Sequence, residues 1–165
     1  MFEGMFIRAL KPRGPFLEEL KAAGFDPSAL APDYPGELFS QCLEIARKYE
    51  YPQSASKVAE HELGRRFAQG FLGTLLGRFI RAAMPMFKPA QMIDKIPGYI
   101  AMGGAVAVTC QLKEERSRQF SFEDASVNAD FMAGLLEGGL RDAAAQYTVH
   151  VLHEGPHAFA LRVSW

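Results

Sequence analysis

Two cysteines in 165 residues, Cys42 and Cys110, are too few for a disulfide framework. No apolar run approaches the ~18 residues of a membrane-spanning helix, so no span is expected. Neither sign of charge is in excess. The 18 basic and 19 acidic residues leave a formal charge of -1, without the global field of a nucleic-acid binder or a polybasic membrane binder. That balance leaves room for a local patch only. The start, MFEGMFIRALKPRG, lacks the apolar core of a signal peptide, which makes a cytoplasmic location the expectation. The strings G-x-S-x-G, G-x-x-x-x-G-K-[ST] and G-x-G-x-x-G are absent, as are internal repeats and low-complexity tracts. The reading is therefore of a non-enzyme with no cofactor.

What is present suits one α+β domain over residues 1–165, long enough to bury a single core without staples. Residues 1–100 read as mainly helical. GMFIRAL (4–10) is short and apolar and reads as a strand or extended arm. Pro15 opens a helix through FLEELKAA that Gly24 closes, and Pro35 opens another through ELFSQCLEIARKY. A third helix runs from Ser54 or Ser56 toward Met84, and Pro89 opens a fourth that stops before Pro97.

After Gly103 and Gly104 the period changes to two. AVAVTCQL (105–112) and RQFSFED (118–124) flank the turn KEERS. Asn128 caps a helix through ADFMAGLLEGGLRDAAAQ, and YTVHVLHE (147–154) and HAFALRVSW (157–165) form a second hairpin. Residues 105–165 thus predict a four-stranded antiparallel ββαββ sheet covered on one face by helices. Val106, Val108, Cys110, Phe120, Phe122, Val149, Val151, Phe159, Leu161, Val163 and Trp165 fall on the core face. The opposite face, with Ala107, Thr109, Ser121, Ala158 and Ala160, is either solvated or flat enough to receive a second copy.

The run RRFAQGFLGTLLGRFI (65–80) raises a separate question, because each glycine in a helix interior is unfavourable by about 1 kcal/mol relative to alanine. On one continuous helix, Gly70, Gly73 and Gly77 share a sector of roughly 60° with Thr74 beside them. Gly134 and Gly138 stack in the same way on the later helix. Close packing of backbones is one reading. The other makes this smooth strip the floor of a pocket, with Arg66 and Arg81 at its ends to hold a carboxylate or phosphate. The candidate ligand-binding set is therefore Arg66, Gly70, Gly73, Thr74, Gly77 and Arg81.

Other candidates are weaker. HEGPH (153–157) matches H-E-x-x-H as a string, but Gly155 and Pro156 deny it the helix that motif needs, so no metal is expected. His61 lies about 180° around its helix from the glycines, and a haem held by it would need a separate cavity. Met84, Met86, Met92 and Met102 read as flexible core filler. Cys42 and Cys110 sit in phase with apolar neighbours and read as core thiols.

The segments MFEGMFIRALKPRGPFLEELKAAGFD, HELGRRFAQGFLGTLLGRF and ALRVSW resemble a paralogous family of uncharacterised myxobacterial proteins. More distantly, the helical half followed by ββαββ resembles the 4-vinyl-reductase, haem-nitric-oxide-binding and trafficking-subunit superfamily. That resemblance implies binding of a small hydrophobic ligand or haem, or a role in assembly. The C-terminal hairpin lacks a cysteine cluster, and no Tyr-x-Ser-x-Arg motif is present, so neither cysteine-bound metal nor haem is expected. The resulting expectation is a non-catalytic regulatory or assembly module in signalling, self-associating as a homodimer or meeting a protein partner, with an apolar pocket. The alternative is a sensor of a small acidic or lipid-like ligand, hydrophobic or anionic, and the third reading is an enzyme of unknown class.

Overall fold

The computed structural model describes residues 2–31, 34–101, 107–123, 126–141, 143, 145–155 and 158–165. Six α-helices precede or interrupt four strands: α1 Pro15–Ala22, α2 Gly36–Glu50, α3 Ser56–Leu72, α4 Leu75–Ala83, α5 Pro89–Ala101, β1 Ala107–Glu114, β2 Ser117–Glu123, α6 Ala129–Leu140, β3 Thr148–Glu154 and β4 Ala158–Ser164. The expected α+β architecture is present. Residues 102–106, 124, 156 and 157 lie outside the described residues, and with them the expected starts of β1 and β4, Val106, Met102 and the tip of HEGPH.

Chain punctuation sets most boundaries. Pro15 begins α1, and Gly24, with φ of 101°, occupies the left-handed position after it. The Asn128 side chain accepts a hydrogen bond from the Phe131 N–H at 2.9 Å and so caps α6. Three expectations need correction. Glu3–Leu10 is a π-helix rather than a strand, closed by the Lys11 N–H donating to the Phe6 carbonyl at 3.0 Å. Its buried Gly4, Met5, Phe6 and Leu10 are spaced to face α3, a helical pattern. The long third helix is two helices, broken at Gly73 and Thr74. Finally, α5 runs through Pro97 because Met92, Ile93 and Ile96 ahead of it are buried, and burial outweighs the hydrogen bond that proline forfeits.

The sheet has strand order β1-β2-β4-β3, antiparallel throughout. Phe122 sits opposite Phe159 across β2 and β4, their rings stacked at 4.6 Å, and Phe120 sits opposite Leu161. Together with Val163, Met132 and Leu136 these residues form one of two apolar clusters. Among the described residues the core face assigned from period two holds, except that Val151 is exposed where a register shift interrupts the pairing of β3 with β4, and Ala160 of the opposite face is buried as well. Trp165 is stacked by the Arg118 guanidinium at 5.3 Å, and Arg118 donates to Asp94 of α5 at 2.8 Å. A second cluster is aromatic: Phe2, Phe6, Phe25, Phe39, Phe67 and Phe131 gather the N-terminal helices around α3.

The most extensive contact between any two elements is α3 against α6. Glycine makes it close. A Cβ at Gly134 would lie 1.9 Å from the His61 carbonyl oxygen, and one at Gly64 would lie 2.0 Å from the Phe131 carbonyl oxygen. Gly138 rests against Arg65 and Ala68 less tightly, an added Cβ lying 3.0 Å from the nearest atoms of each. Outside this crossing, His61 Nε2 meets Glu137 at 3.2 Å, and Asn128 Nδ2 donates to Glu60. The pairing of Gly134 with Gly138 thus serves helix packing, as its spacing suggested.

Gly134→Ala is expected to destabilise the fold by the upper end of the ~1–3 kcal/mol typical of overpacking, because backbone rather than a flexible side chain must move. Gly139→Ala, five residues along the same helix with nothing within 4 Å of its added Cβ, should be stabilising by up to about 1 kcal/mol. Urea unfolding of the two variants checks this. Equal effects would remove the account of a close crossing.

Candidate functional site

The break between α3 and α4 decides the fate of the glycine strip. The Thr74 hydroxyl donates to the Phe71 carbonyl at 2.7 Å and accepts from the Gly77 N–H at 3.1 Å, so it ends one helix and caps the next. Gly77 therefore leaves the face of Gly70. It folds back onto the end of α3, where a Cβ would lie 1.9 Å from the Phe71 carbonyl oxygen. Gly70 packs elsewhere, against the Gly4 carbonyl of the N-terminal π-helix. Gly73 is exposed in the connecting turn and meets only its own preceding turn. Arg66 is ion-paired with Glu50 of α2, and Arg81 is exposed on α4. None of these six residues lines the molecule's apolar cavity.

That cavity lies where the two clusters meet. Phe67, Phe71 and Phe131 come to it from the aromatic cluster, and Met84, Met92, Met132 and Leu136 from the sheet cluster. Ile80 of α4 and Ile96 of α5 complete two of its walls. Its volume is about 140 Å³, within a cleft of about 1020 Å³ that includes its opening to solvent. A cavity of about 150 Å³ lined by aliphatic and aromatic groups stays dry and admits a molecule such as benzene. Among the described residues no charged side chain lines this one, and only Tyr99 and Ser126 bring hydroxyls. Such a lining offers neither a general acid or base nor a counter-charge for an anion. It can exclude water and hold apolar matter.

The sequence held one sign of this site. The methionines near the helix connection were read as core filler; Met84 and Met92 are buried in the core and also wall the cavity, whereas Met86 is exposed. A smaller cleft of about 70 Å³ adjoins it, edged by Glu44, Arg47, Glu60 and Asn128. Its polar groups are largely engaged with one another: Arg47 with Glu44 at 2.7 Å, and Asn128 with Glu60.

The described histidines and both cysteines lie away from the cavity lining. His150 and His153 are exposed on β3, and His61 faces Glu137. Among the described residues, no three His, Cys, Asp or Glu gather as a metal site. Cys42 is fully buried in the aromatic cluster, and that burial pushes its thiol up to about 12. Desolvation raises Cys110 as well, ahead of repulsion from Asp94. In the intact protein at mildly alkaline pH, a disulfide reagent is expected to leave Cys42 unmodified until denaturant is added. Titration at the rate of a free thiol would contradict that burial.

Residues 1–165 match the family described as Protein of unknown function (DUF2378), and the chain belongs to it. The match carries the family and not the myxobacterial origin that the sequence resemblance implied. No curated protein shows significant sequence similarity to the chain. Among solved structures, one concerned with modulating haem redox potential through protein-induced porphyrin distortion is similar, with a TM-score of 0.69 at 12% identity, over 99% of this chain and 97% of that one. An oxygen-binding H-NOX domain related to soluble guanylate cyclases gives 0.63 at 14% identity, over 89% and 82% of the two chains. An H-NOX mutant of T. Tengcongensis gives 0.57 at 14% identity, over 90% and 85%. At such identities the likeness is one of fold alone.

Proposed function

We propose that this member of the DUF2378 family is a non-catalytic sensor domain that takes a small apolar molecule into the cavity between its two cores. The observation that carries the reading is the lining: apolar side chains from α3, α4, α5 and α6 form its walls, with no ionised group among the described residues. Pockets that hold apolar ligands have this composition, with a few polar groups to orient the guest. Tyr99 and Ser126 are the groups available for that role here.

The fold shared with H-NOX domains raises the question of haem, and the lining residues do not suit one. A haem takes an axial histidine, cysteine, tyrosine or methionine and needs partners for two carboxylates. Among the described residues the cavity presents thioethers and the Tyr99 hydroxyl, but no cation lines it to partner the carboxylates. An acidic ligand is disfavoured on the same ground, since Arg66 is held by Glu50 away from the cavity. A neutral, lipid-like guest fits best.

The self-associating module expected from the sequence keeps one observation in its favour. Leu112, Val151 and Leu152 are exposed on the outer strands β1 and β3, where an added strand would cover them. Sedimentation showing a monomer across the micromolar range would remove that reading, and a dimer sensitive to Leu112→Lys would support it.

For the sensor reading, the fluorescent probe N-phenylnaphthylamine is expected to bind the purified protein saturably, and organic extraction followed by mass spectrometry should release an apolar compound. Gly139→Leu fills the cavity from α6, where nothing lies within 4 Å of an added Cβ. It should weaken probe binding about tenfold or more, equivalent to ~1.4 kcal/mol, without lowering the unfolding temperature. A wild-type protein with neither saturable probe binding nor an extractable compound would overturn the reading. Haem incorporation giving a Soret band would do so in favour of a haem sensor.

A further inference from the structure

The apolar arc of α4 is wider than the fold uses. Gly77 is buried and Ile80 turns to the cavity, as does Met84 just beyond. Leu75 is 66% exposed, Phe79 68% and Leu76 44%, and Met86 in the following turn is 82% exposed. Four large apolar side chains on one short segment are far more than the scattered exposed residues of an ordinary surface. Among the described residues, the only elements with extensive contact to α4 are α3 and the turn Met84–Met86, so its outer face has no extensive partner among them.

Charge marks the same segment. Between Glu62 and Asp94 the sequence contains Arg65, Arg66, Arg78, Arg81 and Lys88 and no acidic residue. The bounding acids are themselves held, Glu62 by Arg65 and Asp94 by Arg118. Arg78 and Lys88 are exposed and make no ion pair among the described residues. With Arg65 paired to Glu62 and Arg66 to Glu50, the basic character beside the apolar face rests on Arg78 and Lys88.

We infer that α4 and the turn after it dock the domain on an anionic lipid bilayer, with Leu75, Leu76, Phe79 and Met86 entering the acyl boundary and Arg78 and Lys88 at the headgroups. An amphipathic helix with aromatic and aliphatic residues on one side and basic residues flanking them lies in such an interface. A second copy of the chain is the poorer occupant, because joining this face to itself brings Arg78 and Lys88 against their own kind. The bilayer also answers a need of the cavity. Ile80 and Met84 wall it from the same segment whose outer residues would enter the lipid. An apolar guest with little solubility in water then passes from bilayer to cavity beside α4. This last step rests on the sensor reading; the docking does not.

The test uses the full chain and sedimenting vesicles of phosphatidylcholine, alone or mixed with phosphatidylserine. Wild-type protein is expected to pellet with the mixed vesicles only, and less so as salt rises. The double variant Leu75→Glu with Phe79→Glu changes exposed positions and places one new carboxylate in the first turn of α4, where the helix dipole favours it. Its thermal unfolding should be unchanged and its vesicle binding reduced about tenfold or more, a difference of ~1.4 kcal/mol. Gly139→Leu should still bind vesicles, so a failed cavity and a failed docking face give different results. Absence of wild-type binding to the mixed vesicles would overturn the inference, as would equal binding by the double variant. A dimer that the double variant abolishes, in a protein that ignores vesicles, would reassign the face to self-association.

Discussion

The close crossing of α3 and α6 is the constraint on which the rest of the molecule depends. Gly64 and Gly134 each lie where a carbonyl of the opposite helix leaves no room for a methyl group. Two helices brought this near cannot interleave large side chains at the point of contact, so their large residues are displaced to either side. Phe67 and Phe131 turn to the N-terminal helices, and Met132 and Leu136 turn to the sheet. The crossing therefore divides the apolar content into two clusters. Val127 and Leu135 touch both.

A cavity between such clusters is a consequence of that geometry. Each cluster packs well around its own center: Phe6, Phe25 and Phe39 are fully buried in one, and Phe120, Phe122 and Leu161 in the other. Where they meet, the walls come from four helices, and Met84, Met92 and Met132 stand among the branched residues that line the space. A thioether chain has several rotamers of similar energy, so this region adapts to a guest at lower cost than the aromatic cluster would. The described lining residues carry no charge, in a fold like that of H-NOX domains.

Short-range chemistry was legible along the chain. Proline at the start of α1, the glycine after it and the asparagine before α6 act on backbone groups within four residues, and each ended or began a helix where it stood. The period of two in the last sixty or so residues placed Phe120, Phe122, Phe159 and Trp165 together, because alternation along a strand is fixed by backbone geometry. The π-helix was missed for the opposite reason. Seven apolar-rich residues carry little periodic signal, and Gly4 takes its conformation from its place against Gly70 and Phe71, far along the chain. The passage of α5 through Pro97 was likewise set by what lies beneath it.

The glycines draw the line between the two kinds of information. The sequence by itself determined that α3 and α6 had to meet something closely, since no local advantage repays a run of glycines in buried helices. It could not say what they met. Gly64 faces α6, while Gly70, roughly 120° away around the same helix, faces the N-terminal π-helix. Gly77 was lost to that face when the Thr74 hydroxyl closed one helix and opened another. The tertiary structure decided these partners, and with them the cavity, because a void is a property of the space between elements. No side chain, however placed in the sequence, specifies that space alone.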